Sequence, residues 1–298
     1  MSPDRARAIS DPIANLQSPD PKGTPEGAYE LLDPAKTVVI TGAGISTDSG
    51  IPDYRSPGSP ERNPMTGDAF RASEANRRRY WARGWVGWER HQKFTPNSVH
   101  YDLAHLPLQA LITQNVDGLH AAAGSEAVVE LHGSLHRVVC LSCGRTFHRS
   151  WMQRRLNDLN PGFLERTRIT PDDIDLNPDG DSEVEETSGF HVPDCPACRG
   201  PLKPDVVYFG ESVGRQVSEA AGDSVDRADA VLVLGSSLAV HSALRLVRRA
   251  AKDGKPVVIV TDGPTRADNL ATVRLVERVA PFVAGWRSYC DSVADAAP

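Results

Sequence analysis

Four cysteines stand in two Cys-x-x-Cys pairs, Cys140 with Cys143 and Cys195 with Cys198. Two such knuckles closing on one ion make a tetrahedral, all-thiolate zinc site, and with no coordination position left open that zinc is structural. Residues 144–194 intervene, against roughly 15 to 20 in ordinary ribbons, but lengthening a loop raises its closure entropy only slowly. The fifth cysteine, Cys290, is isolated and carries no assigned chemistry. A second group of reactive or polar residues follows short apolar runs: Gly42, Ala43, Gly44 and Ser46, then Gln114, Asn115 and Asp117, then His132, then Gly235, Ser236 and Ser237, and Asp262. Glycines and serine hydroxyls suit phosphates, an Asn/Asp pair suits an amide and a ribose, and an imidazole with an ordinary pKa of about 6.5 suits proton transfer.

These residues need a scaffold that brings strand ends together. Val38 to Ile40 reads as a fully buried parallel strand running into Gly42 and Gly44, whose missing Cβ atoms let a pyrophosphate approach backbone N–H groups. The third glycine of the dinucleotide fingerprint is replaced by Thr47, so an ordinary βα turn fits this stretch as well. Further apolar runs follow at 108–113, 128–131, 206–209, 230–234 and 257–261, with a helix expected over about 242–252. Strand, turn, helix, strand is the rhythm of a doubly wound parallel sheet, in which ligands bind outside the carboxyl ends of the strands. The expected organisation is α/β. Residues 1–35 form a flexible arm, 36–135 and 203–290 a Rossmann-like domain with a helical insert at about 56–98, and 136–202 a smaller zinc-binding domain. The segment 151–192 is an acidic, Pro-rich insertion. The tail from 266 to 289 is expected to be mostly helical, with a short strand near 279–283.

Composition narrows the function classes. The chain has 298 residues, 40% hydrophobic and 24% charged, enough for a full core. Its formal charge of −6 offers no basic field for a phosphate backbone, so direct nucleic-acid binding is not expected. No apolar run reaches the ~20 residues of a membrane span, and the N-terminal stretch lacks an apolar targeting core. Cysteines paired for metal in such a chain point to a reducing compartment. The expected location is cytoplasmic in a bacterial source, or mitochondrial if the source is eukaryotic.

The stretches GAGISTDSGIPDYRS, TQNVDGLH, ELHG, the four cysteines, KPDVVYFGE and GSSLAV occur in the order found in sirtuins, and the resemblance spans about residues 37–284. It implies a protein lysine deacylase that consumes NAD. The acyl carbonyl attacks the nicotinamide ribose, nicotinamide leaves, and the products are free lysine and 2′-O-acyl-ADP-ribose. His132 matches the family's general base, and Asn115 the residue that orients ribose and water. Gln114 matches the residue that meets a ribose hydroxyl. Asp117 matches the acid that holds the nicotinamide carboxamide, although a helix cap explains an aspartate there too. Arg55 matches an arginine near the phosphates and the reacting ribose. Tyr54 stands where phenylalanine is usual, and Asp53 is a further cofactor candidate. Asp262 stands where asparagine is frequent; it can accept from both adenosine ribose hydroxyls and would repel a 2′-phosphate, or it can simply serve the turn before Gly263 and Pro264.

The same resemblance implies an acyl-lysine peptide bound by strand addition between Val206, Val207, Tyr208, Phe209 and Gly210 and the segment after Ser237. Tyr80 and Arg83 are similar to the pair that holds acidic acyl chains in desuccinylating sirtuins, since a hydroxyl and a guanidinium fork suit a carboxylate. They equally suit an arginine-rich solvated helix face. The Val86-Gly-Trp that follows, the long cysteine loop, Ser242 in place of a frequent proline, and residues 263–266 resemble the class II branch of mitochondrial sirtuin 4, whose members act weakly on acetyl-lysine. That favours larger acyl groups. Mono-ADP-ribosyl transfer and NAD binding without turnover are the alternative readings.

Overall fold

A computed structural model describes residues 12–13, 16–17, 19–53, 65–167 and 187–296. The elements run α1 (Pro25–Tyr29), β1 (Thr37–Thr41), α2 (Gly67–Ala72), α3 (Glu74–His91), α4 (Ser98–His105), β2 (Ala110–Thr113), α5 (Leu119–Ala122) and β3 (Val128–Glu130). Next come β4 (Gly133–Cys140), β5 (Thr146–His148), α6 (Arg149–Leu159), α7 (Phe163–Thr167) and β6 (Leu202–Val206). The chain continues through α8 (Arg215–Arg227), β7 (Ala230–Leu234), α9 (His241–Lys252), β8 (Val257–Val260), β9 (Val273–Leu275) and α10 (Val279–Asp295).

The large sheet has the order β3-β2-β1-β7-β8-β9, and every pairing in it is parallel. The Rossmann-like expectation is therefore met, with the strand order reversing between β1 and β7. That reversal opens the crevice where ligands of such sheets bind. Strands β1, β2, β7 and β8 are buried throughout, which is why they read as unbroken β-branched and leucine runs. Alternation divides β1 between two cores: Val38 and Ile40 pack under α8 and α9, while Val39 packs with Leu103 of α4 and Phe282, Val283 and Trp286 of α10.

A second, antiparallel sheet has the order β5-β4-β6 and runs from Gly133 to Val206, a little wider than the expected 136–202. Its core also takes in the helical insert. Phe70, Tyr80, Trp81 and Trp88 pack with Leu135, Val138, Met152, Leu156 and Leu202, and the Trp81 indole donates to Leu202 O at 2.9 Å. Helices α2 and α3 of the insert thus pack on the small lobe. Ser73 splits it into α2 and α3, its hydroxyl capping the Asn76 N–H.

Three other expectations need correction. Residues 22–35, assigned to the flexible arm, are docked: Lys22 pairs with Arg274, Ala28 and Leu32 are fully buried, the Tyr29 ring packs tilted against Phe282 at 5.2 Å, and Trp286 donates to Leu32 O at 3.1 Å. Residues 279–283 begin a helix, and the last strand of the large sheet is Val273–Leu275, where Val273 and Leu275 bury against α10. The expected strand 206–209 ends at Val206, because β6 belongs to the small sheet, and residues 207–210 continue as an irregular segment with one bridge from Phe209 to Thr66.

Candidate active site

The turns after β1 and β7 interlock at the switch point. A Cβ on Gly42 would stand 2.7 Å from Ser236 Cβ, and one on Gly44 would stand 2.9 Å from Gly235 Cα. Gly44 N donates to Gly235 O at 2.9 Å, and Gly235 itself has φ +58°. These glycines are therefore required by the meeting of two turns, a reason that the sequence pattern did not disclose. Beside them lies a cavity of about 780 Å³, within the usual size of a ligand site. Its walls include every strand-end residue collected from the sequence, from Gly42, Ala43, Gly44 and Ser46 through Gln114, Asn115, Asp117 and His132 to Gly235, Ser236, Ser237 and Asp262, together with Asp53. Tyr54 and Arg55 lie outside the described residues.

Hydrogen bonds tie the polar walls to one another. Ser46, almost fully buried, donates to Asp117 Oδ2 at 2.8 Å and accepts from Asn115 Nδ2 at 3.0 Å; the same amide donates to Gly42 O at 3.1 Å. Asp117 Oδ1 accepts from the Leu119 N–H at 2.9 Å, so the carboxylate both starts α5 and faces the cradle. Burial raises its pKa, with the Leu119 and Ser46 bonds and the charge of His136 acting in opposition. Gln114 Nε2 donates to Ser236 Oγ at 2.8 Å and Thr41 O at 3.1 Å, spanning the strand order reversal.

His132 follows β3 and is fixed from both sides. Its Nδ1 lies 3.0 Å from Gln114 O, and its Nε2 lies 2.7 Å from Ser242 Oγ at the start of α9. A carbonyl oxygen only accepts, so Nδ1 carries the proton and Nε2 holds the lone pair. Burial lowers the pKa, partly offset by the Gln114 carbonyl, and keeps the ring neutral near pH 7.

The segment Val206 to Gly210 lines the opposite wall. A charged strut that sequence reasoning missed supports it. Glu211 accepts from the Tyr208 N–H at 3.0 Å and pairs with the buried Lys203 at 3.0 Å and with Arg71 at 2.8 Å, while Lys203 Nζ sits 4.4 Å over the Tyr208 ring. The signal was present, since Lys203 and Glu211 bound the motif KPDVVYFGE, but their meeting depends on the turn at Gly210. Tyr80 and Arg83 are not among the described residues that line the cavity. Tyr80 is buried among Phe70, Trp81 and Tyr208, with ring centroids 5.4 to 5.9 Å away, and of these three Tyr208 lines the cavity. Asp48 and Arg278 form an ion pair of 2.5 Å between two residues of the cavity wall, another pairing with no local sequence signal.

In the small lobe the Sγ atoms of Cys140, Cys143, Cys195 and Cys198 all lie within 4.8 Å of one another. Cys140 and Cys198 are 3.4 Å apart, Cys143 and Cys195 3.8 Å. Zinc–sulfur bonds of about 2.3 Å in a tetrahedron separate sulfurs by about 3.8 Å, so the four thiolates fit a single zinc. The Ser142 and Gly200 N–H groups point at Cys140 and Cys198 sulfurs, both at 3.4 Å, as donors to thiolates do.

The chain matches the Sir2 family over residues 42–242. It is 52% identical over 249 residues to NAD-dependent protein deacetylase 1 of Mycobacterium avium (strain 104), covering 82% of this chain and 88% of that protein. It is 42% identical over 275 residues to the mitochondrial NAD-dependent protein lipoamidase sirtuin-4 of Bos taurus, covering 87% and 85%. Among solved structures it is similar to Sir2Tm bound to a propionylated peptide, with a TM-score of 0.66, 28% identity and coverage of 89% and 98%. A Sir2 complex with a p53 peptide and NAD+ gives a TM-score of 0.64 and 30% identity over 86% of this chain and 93% of that one. On the strength of a family match over most of its length and relatives of this identity, the chain belongs to the Sir2 family, the sirtuins.

Proposed function

We propose that this protein is an NAD-dependent protein lysine deacylase in which His132 is the general base. The observation that carries the assignment is the orientation of His132: Gln114 O holds the proton on Nδ1 and leaves Nε2 as the basic atom in a cavity whose other walls carry glycine turns and amides. NAD is consumed as co-substrate, yielding nicotinamide, free lysine and 2′-O-acyl-ADP-ribose, and the NAD-dependent deacetylase and lipoamidase relatives support that class. Asn115 and Gln114 orient the ribose, and Asp117, held by Ser46, accepts from the carboxamide NH2. Arg55, Tyr54 and Asp53 are assigned to the same end of the co-substrate. Asp262 and Glu277 line one corner of the cavity, and burial and the charge of Asp262 raise the pKa of Glu277. Two carboxyl groups there favour NAD over its 2′-phosphorylated form.

The acyl-lysine peptide is assigned to residues 206–210 and the segment after Ser237. Tyr80 and Arg83 are assigned to the far end of a large or acidic acyl chain, reached past Tyr208. Zinc would be held by the four cysteines and would brace the small lobe. The bacterial relatives favour a cytoplasmic location. No helix among the described residues is long and apolar enough to cross a membrane.

The test is a panel of acyl-lysine peptides assayed with NAD, the products weighed by mass spectrometry. Free 2′-O-acyl-ADP-ribose is expected; ADP-ribose attached to protein would overturn deacylation in favour of ADP-ribosyl transfer. His132→Ala should lower turnover at least about 100-fold with NAD binding retained, and Arg83→Met should depress acidic-acyl turnover while sparing acetyl.

A further inference from the structure

The two ring nitrogens of His132 are held by different parts of the chain. Gln114 O, at the end of β2, takes the Nδ1 proton, and Ser242, the second residue of α9, places its hydroxyl 2.7 Å from Nε2. With Nδ1 protonated, the direction of the second bond follows: the serine O–H donates to the Nε2 lone pair. Ser242 is not spent on capping its own helix, which has no side-chain cap. Its position is set by the core, because Ala243, Leu244, Leu246 and Val247 of α9 are buried against the large sheet. The turn before it is pinned by Arg266, whose backbone N–H donates to Ser237 O at 3.1 Å and whose guanidinium donates to Ala239 O at 2.8 Å.

We infer that Ser242 is a positioning residue for the general base, a hydroxyl that holds the imidazole through both of its protonation states. This rests on the assignment of His132 as the base. A hydroxyl can donate and accept. It donates to Nε2 while the ring is neutral, and after Nε2 has taken a proton it rotates to accept from the new N–H. Nε2 has a single lone pair, so the serine O–H turns off it as a substrate hydroxyl moves onto it; one proton then passes from that hydroxyl to Nε2, and the serine ends with the proton it began with. The second bond is charge-assisted and is the stronger of the two, so the hydroxyl supports the imidazolium more than the imidazole. A proline in this place would supply neither bond.

The charged groups on the surrounding elements are already engaged. Glu130 on β3 and Asp205 on β6 both pair with Arg137 of β4, at 2.5 and 2.9 Å. Asp117 after β2 accepts from Ser46, and Arg245 on α9 donates to Ser218 of α8. The exposed His241 precedes Ser242 on α9.

Ser242→Ala, Ser242→Thr and the wild type are compared in two ways. In an NMR titration of the ring nitrogens without substrate, Ser242→Ala should lower the His132 pKa by about half a unit to one unit, and Thr should restore it. In kinetics, Ser242→Ala should lower kcat about tenfold, a part of the 10²–10⁴ that a general base supplies. The KM values for NAD and peptide should stay within about twofold, and the acid limb of kcat/KM should move to lower pH. An unchanged His132 pKa and tautomer in Ser242→Ala would overturn this inference alone. An NMR shift with unchanged kcat would also overturn it. Full turnover in His132→Ala would remove the general-base assignment, and this inference with it, whatever the NMR shows.

Discussion

The two sheets hold their parts of the molecule in different ways. In the six-stranded sheet, Val, Ile and Leu runs are buried on both faces, and the polar residues that follow them converge because parallel strands all end on the same edge. In the three-stranded sheet the core is aromatic and is penetrated by cations. Arg149 is buried with its guanidinium 4.5 Å from the Trp88 ring and 5.4 Å from Trp81, donating to Gly84 O at 2.9 Å and to Gln153 Oε1 at 2.6 Å. Burial brings its pKa down to about 9. The large sheet thus places chemistry by topology, whereas the small lobe places it by pairwise contacts between distant segments and by four thiolates. A defect in the first should stay local, and one in the second should spread.

The sharpest test of that contrast is Cys140→Ser. Structural zinc contributes on the order of 10 kcal/mol or more to folding, so this substitution should abolish zinc binding, measured as metal per chain. It should also open residues 133–206 and the insert to proteolysis while β1, β7 and β8 stay protected. Uniform protection in the presence of a chelator would erase the distinction between the lobes.

A test of intermediate size compares buried histidines. His100 and His120 lie beneath the large sheet, rings 4.9 Å apart, and His91 lies in the small lobe against Trp88. Burial lowers His100 to about 4; burial, then His100, lowers His120 to about 3; burial, then the charges of His136 and Arg149, lowers His91 to about 4. Above pH 6.5 these rings are neutral folded or unfolded, so they do not tilt the balance. Below it the unfolded chain binds protons that the fold refuses. Stability should therefore fall as pH drops from about 6.5 toward 4, by up to about 1.4 kcal/mol per pH unit for each ring. Urea unfolding at pH 7.5 and 5.5, with zinc content checked at both, reads the slope; a flat profile would refute it.

Gly42→Ala should have the smallest effect. The added methyl meets Ser236 Cβ at 2.7 Å, and a cost of about 1–3 kcal/mol is expected. Thermal melting should show the loss, and weaker NAD binding should accompany it without a change in zinc content.

The contrast also explains what was legible in the sequence. The run Val38 to Ile40, the polar residues after each strand and the two Cys-x-x-Cys pairs are local patterns, and each led to its place. The strut of Lys203, Glu211 and Arg71 was not visible, because Arg71 is far from the other two in the chain and meets them only when the insert folds onto β6. Ser242 stood out only as a departure, and its contact with His132 required the first turn of α9, which packs on β7 and β8, to meet the turn after β3. Tyr80 and Arg83 have the right types and spacing for a carboxylate, but helical spacing alone does not say which face meets the cavity. Tyr80 faces an aromatic core. The docking of residues 22–35 went unseen because their few apolar residues carry no period, while their partners lie some 250 residues onward.

That docking bears on how the chain is made. Leu32 O receives the Trp286 indole N–H, Tyr29 OH reaches Phe282 O at 3.3 Å, and a Cβ on Gly285 would strike the Tyr29 hydroxyl. One face of the large sheet therefore has only part of its cover, from α4, until α10 has been synthesised. A ribosome adding about 5–20 residues per second leaves Val39 and Leu111 bare of α10 for many seconds after their strands exist, and Leu232 for a few. The nascent chain carries an apolar sheet face through that interval, and shielding it is a demand made by the order of synthesis.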